Sequence, residues 1–334
     1  MAKIVGIDLG TANTLICTKN KIVLKAPSVV AISKADREVV ALGKEARRML
    51  GKTPEGILAF RPLKDGVIAD PEATSKMIRA FFEYTDSISL FSRPSAIVCI
   101  PFGVTEVEKR AVEDATFEAG ARAVALIEEP LAAAIGTGLR VGGNHGNMIV
   151  DIGGGTTEVA VISLGGIVAS SALREAGDDF DEAIISYLRR RRGILIGNTT
   201  AEELKIRIGS AHPSCDAGEL EVCGRSLDSG LGAIEKITSA EVREAMTPTI
   251  DKIIAGIKKT LEQTPPELSA DIYDFGIMLT GGGALLRGID KLITERTGIK
   301  VRKAEHPLES VCAGILRVIQ SEGRLGNLLQ YRGR

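Results

Sequence analysis

Two aspartates in this sequence, Asp8 and Asp151, each end a short β-branched run and are each followed by a glycine-rich turn. The first stretch reads VGIDLGTANTL and the second reads MIVDIGGGTTEV. A turn of this kind can direct several backbone N–H groups at one point and bind phosphate oxygens, because glycine has no Cβ to hold the ligand away. The side chains that could add donors to the two turns are those of Thr11, Asn13, Thr156 and Thr157.

The two aspartates have the chemistry of magnesium ligands. Mg²⁺ keeps several waters and is usually held by one or two carboxylates together with substrate phosphates. If the two turns face each other, they would hold a polyphosphate from both sides and direct Asp8 and Asp151 at the metal. Each turn alone is equally typical of a plain β-hairpin with a glycine tip, but the repetition in both halves of the chain favours phosphate binding.

Other nucleotide-binding motifs do not explain the glycines. The sequence contains no GxxxxGK[ST] motif, and no GxGxxG opens a helix after a strand. The stretch LTGGGALLRG does place three glycines between an apolar strand and a predicted helix. This order would let a helix N-terminus approach a phosphate or a nucleoside, so it is a third candidate binding element.

The composition limits the class of protein. A chain of 334 residues is long enough for two domains. The formal net charge of −1 argues against a nucleic-acid binder driven by bulk positive charge. The five cysteines form no CxxC pair and lie far from the three histidines, so we expect reduced thiols and no zinc site. No apolar run approaches ~20 residues, and an apolar strand begins almost at once, so we expect a soluble cytoplasmic protein without a signal peptide.

The pattern of strands and helices indicates an α/β protein with one sheet in each half. Strands are predicted at 3–9, 14–18 and 22–32, and a helix after Thr105, which has capping-box spacing with Glu108. After the polar stretch RVGGNHGN the pattern restarts with a strand, a glycine-rich turn and further strands. Another helix is predicted near 239–262. Strands that alternate with helices in both halves predict this architecture.

The sequence resembles the actin/Hsp70/sugar-kinase ATPase superfamily and, within it, is similar to the MreB/Mbl family of bacterial actins. The stretches that carry the resemblance are GIDLGTANTLI, RPLKDGVIAD, LIEEPLAAAIGTGL, MIVDIGGGTTEVAVISLG, GDDFDEAII, AEELKIRIGSA, TPPELSADI and LTGGGALLRGID. The resemblance implies an actin-like ATPase fold: two lobes, each with an RNase-H-like core and a smaller inserted subdomain, and a nucleotide in the cleft between them. The implied boundaries are lobe I at 1–146 (core 1–32 and 79–146 with a C-terminal helix 315–334, insert about 33–78) and lobe II at 147–314 (core 147–184 and 244–314, insert about 185–243).

The resemblance also implies ATP or ADP with Mg²⁺ as cofactors, with Asp8 and Asp151 as the metal ligands. Glu129 would position the attacking water, assisted by Thr156 and Asp151, and such a carboxylate fits the needs of phosphoryl transfer to water; Glu128 is the adjacent alternative. The residues expected at the nucleotide are Asp8, Thr11, Ala12, Asn13, Gly153, Gly154, Gly155, Thr156, Glu202, Glu203, Leu204, Lys205, Gly282, Gly283, Ala284 and Leu285. The i,i+3 spacing of Glu202 and Lys205 is equally typical of a surface ion pair.

The function implied is that of a weak ATPase that polymerises into membrane-associated filaments, which organise cell-wall synthesis and rod shape. The expected partners are other copies of the chain in paired protofilaments, the inner face of the cytoplasmic membrane and the cell-wall elongation machinery, and no nucleic acid. Val107 would lie in a lateral contact, unless its helix only packs on its own sheet. Leu90 and Phe91, beside Arg93, would attach each subunit weakly to the membrane, unless they pack against the local core. Many such weak attachments along a filament would add up to strong membrane binding. The alternative is a monomeric sugar-type kinase; an Hsp70-type chaperone would need a further module.

Overall fold

The computed structural model describes residues 3–88, 92–321 and 325–331. The strands in these ranges are β1 (Ile4–Leu9), β2 (Asn13–Thr18), β3 (Ile22–Pro27), β4 (Val30–Ser33), β5 (Val39–Leu42), β6 (Ile57–Phe60), β7 (Leu63–Lys64), β8 (Val67–Ile68), β9 (Ser95–Ile100), β10 (Ala123–Glu128), β11 (Asn147–Ile152), β12 (Thr157–Ser163), β13 (Gly166–Leu173), β14 (Ile194–Leu195), β15 (Glu219–Ser226), β16 (Gly232–Thr238), β17 (Ile277–Thr280), β18 (Val301–Lys303) and β19 (Gln330–Tyr331).

The helices in the same ranges are α1 (Gly43–Met49), α2 (Pro71–Tyr84), α3 (Glu106–Glu118), α4 (Glu129–Gly136), α5 (Gly177–Arg191), α6 (Asn198–Ile208), α7 (Ser239–Glu262), α8 (Pro266–Phe275), α9 (Ile289–Thr297) and α10 (Ser310–Gln320). None of these helices combines the length and the apolar character needed to span a membrane. The chain divides into two compact units. The first comprises residues 1–144, 162–167 and 308–334, and the second comprises 145–161 and 168–307.

A six-stranded sheet forms the centre of the first unit. Its strand order is β19-β10-β9-β1-β2-β3. β1, β2 and β3 form an antiparallel meander, whereas β9 pairs parallel to β1 and β10 parallel to β9. The run SAIVCI of β9 is almost wholly buried, as expected for a parallel strand covered on both faces.

A five-stranded sheet in the second unit follows the same plan. Its order is β13-β12-β11-β17-β18, with β17 parallel to β11 and β18 parallel to β17. Each sheet therefore starts with three strands that follow one another in the chain and then adds parallel strands beside the first of them. Because Asp8 lies near the end of β1 and Asp151 near the end of β11, the two aspartates occupy equivalent positions in the two sheets.

The strand predicted at 22–32 is wrong, because the chain breaks between Pro27 and Val30. β3 ends at Pro27 in the large sheet, and β4 begins at Val30 in a separate three-stranded sheet of order β5-β4-β6. Between them the amide of Val29 donates to the carbonyl of Pro27 over 2.9 Å, which closes a tight turn. Pro27 has no N–H with which to continue the ladder of β3, so a break here has a physical cause. A second small sheet, β14-β15-β16, is inserted in the second unit.

The helix ends agree with the sequence signals. Asp70 caps α2, which begins at Pro71, and Thr105 forms with Glu108 the capping box expected before α3. The predicted helix near 239–262 is α7. α5 starts with acidic residues and ends in a run of arginines, as the helix dipole favours. Beyond its last turn, Arg192 lies 3.2 Å from Glu241 and donates to the carbonyl of Lys236.

Candidate functional site

The first glycine-rich turn joins β1 to β2 in the first unit. Asp8 is half-buried in β1 and pairs across the hairpin with Leu15. A Cβ on Gly10 would lie 2.8 Å from the carbonyl oxygen of Asn13, which is closer than such atoms approach. Position 10 therefore needs a glycine for this turn to close.

The second turn joins β11 to β12 in the second unit and repeats this geometry. The amide of Gly153 donates to the carbonyl of Thr156 over 2.8 Å, and a Cβ on Gly153 would lie 3.0 Å from the same oxygen. In both turns, then, a glycine two residues after the aspartate packs on the carbonyl three residues further along. The repeat in the sequence is a repeat in the backbone.

Ser28, which the sequence did not indicate as a functional residue, and Thr11 support the first turn. The hydroxyl of Ser28 donates to the carbonyl of Gly10 over 2.6 Å, and the Ser28 amide donates to the carbonyl of Ala12 over 3.0 Å. The hydroxyl of Thr11 accepts a hydrogen bond of 3.0 Å from the amide of Gly66 in the β7–β8 turn. Thr11 keeps its hydroxyl proton for another acceptor, because a hydroxyl has one donor and two acceptor lone pairs.

The start of α5 supports the second turn. The amide of Gly177 donates to the carbonyl of Gly153 over 3.1 Å, and the amide of Asp178 donates to that of Gly154 over 2.8 Å. Thr157, which the sequence suggested as a further donor to the ligand, is fully buried, and its hydroxyl donates to the carbonyl of Glu175 over 2.6 Å. It therefore fixes the segment before α5, and the expectation for Thr157 is wrong.

The third glycine-rich element packs directly on β11. Gly281 has a φ of +80°, and a Cβ there would lie 2.2 Å from Oδ1 of Asp151. Gly282–Leu285 then form a 3₁₀ turn, and α9 does not begin until Ile289. The glycines thus lie between an apolar strand and a helix, as predicted, but a short 3₁₀ turn separates them from α9. Within that turn Ala284 is buried and Leu285 is 55% exposed.

Lys205 connects α6 to α5 instead of forming a simple pair along its own helix. Its Nζ lies 2.8 Å from Oδ1 of Asp181 and donates to the carbonyl of Gly177 over 2.7 Å. Because the amide of Gly177 donates to the carbonyl of Gly153 in the second turn, these contacts connect the AEELK segment of α6 to the DIGGGTT turn within the second unit. Leu204 is fully buried in the core of this unit.

Two carboxyl groups of the second unit have strongly perturbed acidity. Burial raises the pKa of Asp151 to about 7, and this side chain is only 4% exposed. Burial also raises the pKa of Asp181 to about 6, which the ammonium of Lys205 only partly offsets. Asp151 is thus a carboxylate removed from water, which a cation would stabilise in its charged form.

The candidate general base lies at the start of α4 in the first unit. Glu129 is the first residue of that helix and is half-buried. The adjacent Glu128 ends β10, and burial raises its pKa. Nε2 of Gln330 lies 3.4 Å from Oε1 of Glu128. Glu128 thus belongs to the β10–β19 pairing region.

The remaining predicted residues are not joined to these turns by the contacts described. Val107, on the first turn of α3, is 76% exposed. Leu90 and Phe91 lie outside the described residues. Over the described ranges, no three or more His, Cys, Asp or Glu side chains come together as a metal-binding group.

Comparisons with known proteins decide the family. Residues 2–326 match the family model described as MreB/Mbl protein. The cell shape-determining protein MreB of Escherichia coli strain K12 is 53% identical over 315 residues, which are 92% of this chain and 90% of that protein. The cell shape-determining protein Mbl of Bacillus subtilis strain 168 is 48% identical over 314 residues, 94% of both chains.

The chain belongs to the MreB/Mbl family.

The solved structures agree with the fold expected of this family. The crystal structure of MreB5 of Spiroplasma citri bound to ADP has a TM-score of 0.92 to this chain at 36% identity, and the match covers 98% of this chain and 99% of that one. The same protein bound to AMPPNP gives a TM-score of 0.93. The predicted actin-like fold is confirmed, and a monomeric sugar-type kinase is not favoured.

Proposed function

We propose that this chain is an actin-like cytoskeletal ATPase that binds ATP or ADP with Mg²⁺, hydrolyses ATP slowly and couples hydrolysis to filament assembly. The observation that carries the proposal is the pair of matched turns after Asp8 and Asp151, on equivalent hairpins of two sheets with the same plan. Its MreB5 relative has been crystallised with ADP and with AMPPNP. Its curated relatives are named for determining cell shape.

In this proposal each turn binds phosphate oxygens. Thr11, Ala12 and Asn13 serve the first turn, and Gly153, Gly154, Gly155 and Thr156 serve the second. The adenosine end is assigned to Glu202, Glu203, Leu204 and Lys205 of α6 and to Gly282, Gly283, Ala284 and Leu285. Support comes from the second unit, where hydrogen bonds and packing connect both adenosine segments to the DIGGGTT turn through Gly177 and Gly281.

Asp8 and Asp151 are the proposed ligands of Mg²⁺. Two carboxylates supply the hard oxygen donors that this ion prefers, with phosphates and waters completing the shell. The burial of Asp151 fits the same assignment, because its raised pKa reflects a carboxylate that lacks the solvation its charge requires. When bound, the ion neutralises charge on the phosphates. The aspartates hold it and orient its waters.

Glu129 is the proposed group that orients the attacking water, with Thr156 assisting. Glu129 is the first residue of α4, so the helix fixes the backbone that carries its side chain, and the residue is half-buried. Hydrolysis of this kind needs an oriented water and neutralised charge more than covalent catalysis. Glu128 remains the alternative, although its contact with Gln330 gives it another role.

The proposed assembly and cellular placement of the chain are inferred from its family. We propose that it forms paired protofilaments through a surface that includes Val107, whose large exposed fraction supports a role outside the core. We also propose that the filaments lie on the inner face of the cytoplasmic membrane through Leu90 and Phe91 and act with the cell-wall elongation machinery. The small sheets β5-β4-β6 and β14-β15-β16 support the proposed inserts at about 33–78 and 185–243.

The test is sedimentation and phosphate release with Mg-ATP, with and without vesicles that contain anionic lipid. The proposal expects Mg-ATP-dependent pelleting, slow phosphate release and co-sedimentation with vesicles. Asp151→Ala should abolish hydrolysis. Turnover of ATP at the wild-type rate in that variant would contradict the metal assignment, and a protein that never pellets under any nucleotide condition would contradict the filament assignment.

A further inference from the structure

We propose that Ser28 is a positioning residue, which orients the backbone of the first phosphate turn so that its amides are presented to the nucleotide. This inference rests on the proposed function, because it assigns the turn Gly10–Asn13 to phosphate binding. Ser28 lies in the break between β3 and β4, where the sequence predicted an uninterrupted strand. The break thus places a polar residue beneath the turn.

Ser28 contacts the turn at two carbonyl groups. Its hydroxyl donates to the carbonyl of Gly10 over 2.6 Å, and its amide donates to the carbonyl of Ala12 over 3.0 Å. The Ser28 side chain is fully buried. Water therefore does not compete for these bonds, and a buried carbonyl left without its donor would be costly.

The direction of the hydroxyl bonds is fixed by counting protons. Oγ of Ser28 also lies 2.8 Å from Oγ1 of Thr14, which is fully buried as well. A serine hydroxyl has one proton, and the carbonyl of Gly10 can only accept it. Thr14 must then donate to Ser28, and Ser28 donates to Gly10. The two hydroxyls form a directed chain that ends on the turn.

The consequence for the ligand follows from the planarity of the peptide group. In a trans peptide the C=O of one residue and the N–H of the next point in opposite directions. Because the carbonyls of Gly10 and Ala12 point to Ser28, the amides of Thr11 and Asn13 point away from it. Ser28 therefore turns these amides towards the opposite face of the turn, where converging N–H groups can bind an anion.

The buried hydroxyl of Ser75, in the same unit, does not act in this way. Oγ of Ser75 lies 2.8 Å from the carbonyl oxygen of Pro71, one turn back in its own helix, and 2.9 Å from Oε2 of Glu118, so its single proton is shared between these two acceptors. Ser28 instead reaches across 18 residues to an irregular turn. Ser75 is thus a matched control: the same residue type, also buried, in the same unit, but bonded to a regular helix.

The test compares ligands with and without phosphates. Calorimetric titration of Mg-ADP and of adenosine is carried out on the wild-type chain, Ser28→Ala, Thr14→Val and Ser75→Ala. Losing the chain of hydroxyl bonds should weaken Mg-ADP binding by about ten-fold in Ser28→Ala and by about three-fold in Thr14→Val. Adenosine binding should change by less than about two-fold, because the lost bonds support only the phosphate turn. Ser75→Ala should bind both ligands like the wild type.

Two results would overturn the inference while leaving the proposed function intact. One is Mg-ADP binding to Ser28→Ala at wild-type affinity. The other is an equal loss for Mg-ADP and adenosine in that variant, which would show a general structural role. A wild-type chain that does not bind Mg-ADP at all would instead contradict the proposed function, and the inference with it.

Discussion

The burial of Asp151 predicts that the charge proposed to bind the metal also destabilises the nucleotide-free protein. This effect can be measured as a dependence of the free energy of unfolding on pH. The pKa of Asp151 is about 7 in the folded chain, whereas the ordinary value for an aspartate is 3.8. This difference corresponds to about 4 kcal/mol between the charged and neutral forms. Because the folded pKa is raised, this carboxyl group does not lower the free energy of unfolding at pH values below about 4. The free energy of unfolding then falls as the pH rises from about 4 to about 7.

Replacing the charge should therefore stabilise the nucleotide-free protein at high pH. Beyond a constant offset, Asp151→Asn should differ little from wild type in unfolding free energy below about pH 4, where the aspartate is largely protonated in both states. Its advantage should grow by roughly 2.5 kcal/mol between pH 5 and pH 8, because the unfolded aspartate is already ionised over most of that interval. Mg-ADP binding should be weakened in the same variant. The carboxylate of Asp151 is thus the proposed ligand of the ion and also the group that destabilises the nucleotide-free protein.

The assay is urea unfolding in EDTA, followed by far-ultraviolet circular dichroism, since the chain has no tryptophan. Asp216→Asn is the control. Arg243 and Ser210 lower the pKa of Asp216, so this variant should lose a constant amount of stability between pH 5 and 8. A difference between Asp151→Asn and wild type that does not change with pH would refute the reasoning.

Three further substitutions test separate parts of the account. Lys205→Met should lower the free energy of unfolding at pH 8 by about 3 kcal/mol, because it leaves the carboxylate of Asp181 buried without its partner. Adding Asp181→Asn should recover most of this loss in a denaturant titration. If it recovers nothing, the ion pair is not the cause of the loss. Gly281→Ala should lower the free energy of unfolding by about 3 kcal/mol, because of its positive φ and its contact with Asp151. Gly298→Ala is also at positive φ but faces open space, so it should lower this free energy by only about 1 kcal/mol. Equal melting temperatures for the two variants would contradict the packing argument. Glu129→Gln should lower single-turnover ATP hydrolysis by about 100-fold at unchanged ADP affinity; a parallel loss of affinity would make the residue structural.

The parts of the fold that the sequence predicted are those with local signals. Thr105 and Glu108 form their capping box within one helix, so their spacing is sufficient to predict it. The two acidic turns are predictable for the same reason, because the glycine and the aspartate that define each turn lie within a few residues of each other. In these places the residue types themselves determine the backbone.

The parts that could not be predicted depend on distant partners. Pro27 is a local signal that β3 can end, because it lacks the N–H that a ladder needs. The spacing of apolar residues does not show, however, that the chain then joins a second sheet, in which β4 pairs with β5 and β6. The spacing of Lys205 predicts a contact with Glu202 or a nucleotide, whereas its ammonium forms an ion pair with Asp181, which lies on another helix. The contact between Gly66 and Thr11 joins segments 55 residues apart.

The central claim is that both acidic turns bind the same magnesium nucleotide, and Gly10 and Gly153 allow the most direct test. A Cβ at either position would press on the carbonyl three residues ahead, at 2.8 Å and 3.0 Å. Calorimetric titration of Mg-ADP into wild type, Gly10→Ala and Gly153→Ala should give one site per chain and a loss of at least about ten-fold in affinity for each variant. Wild-type affinity in either variant would contradict the claim.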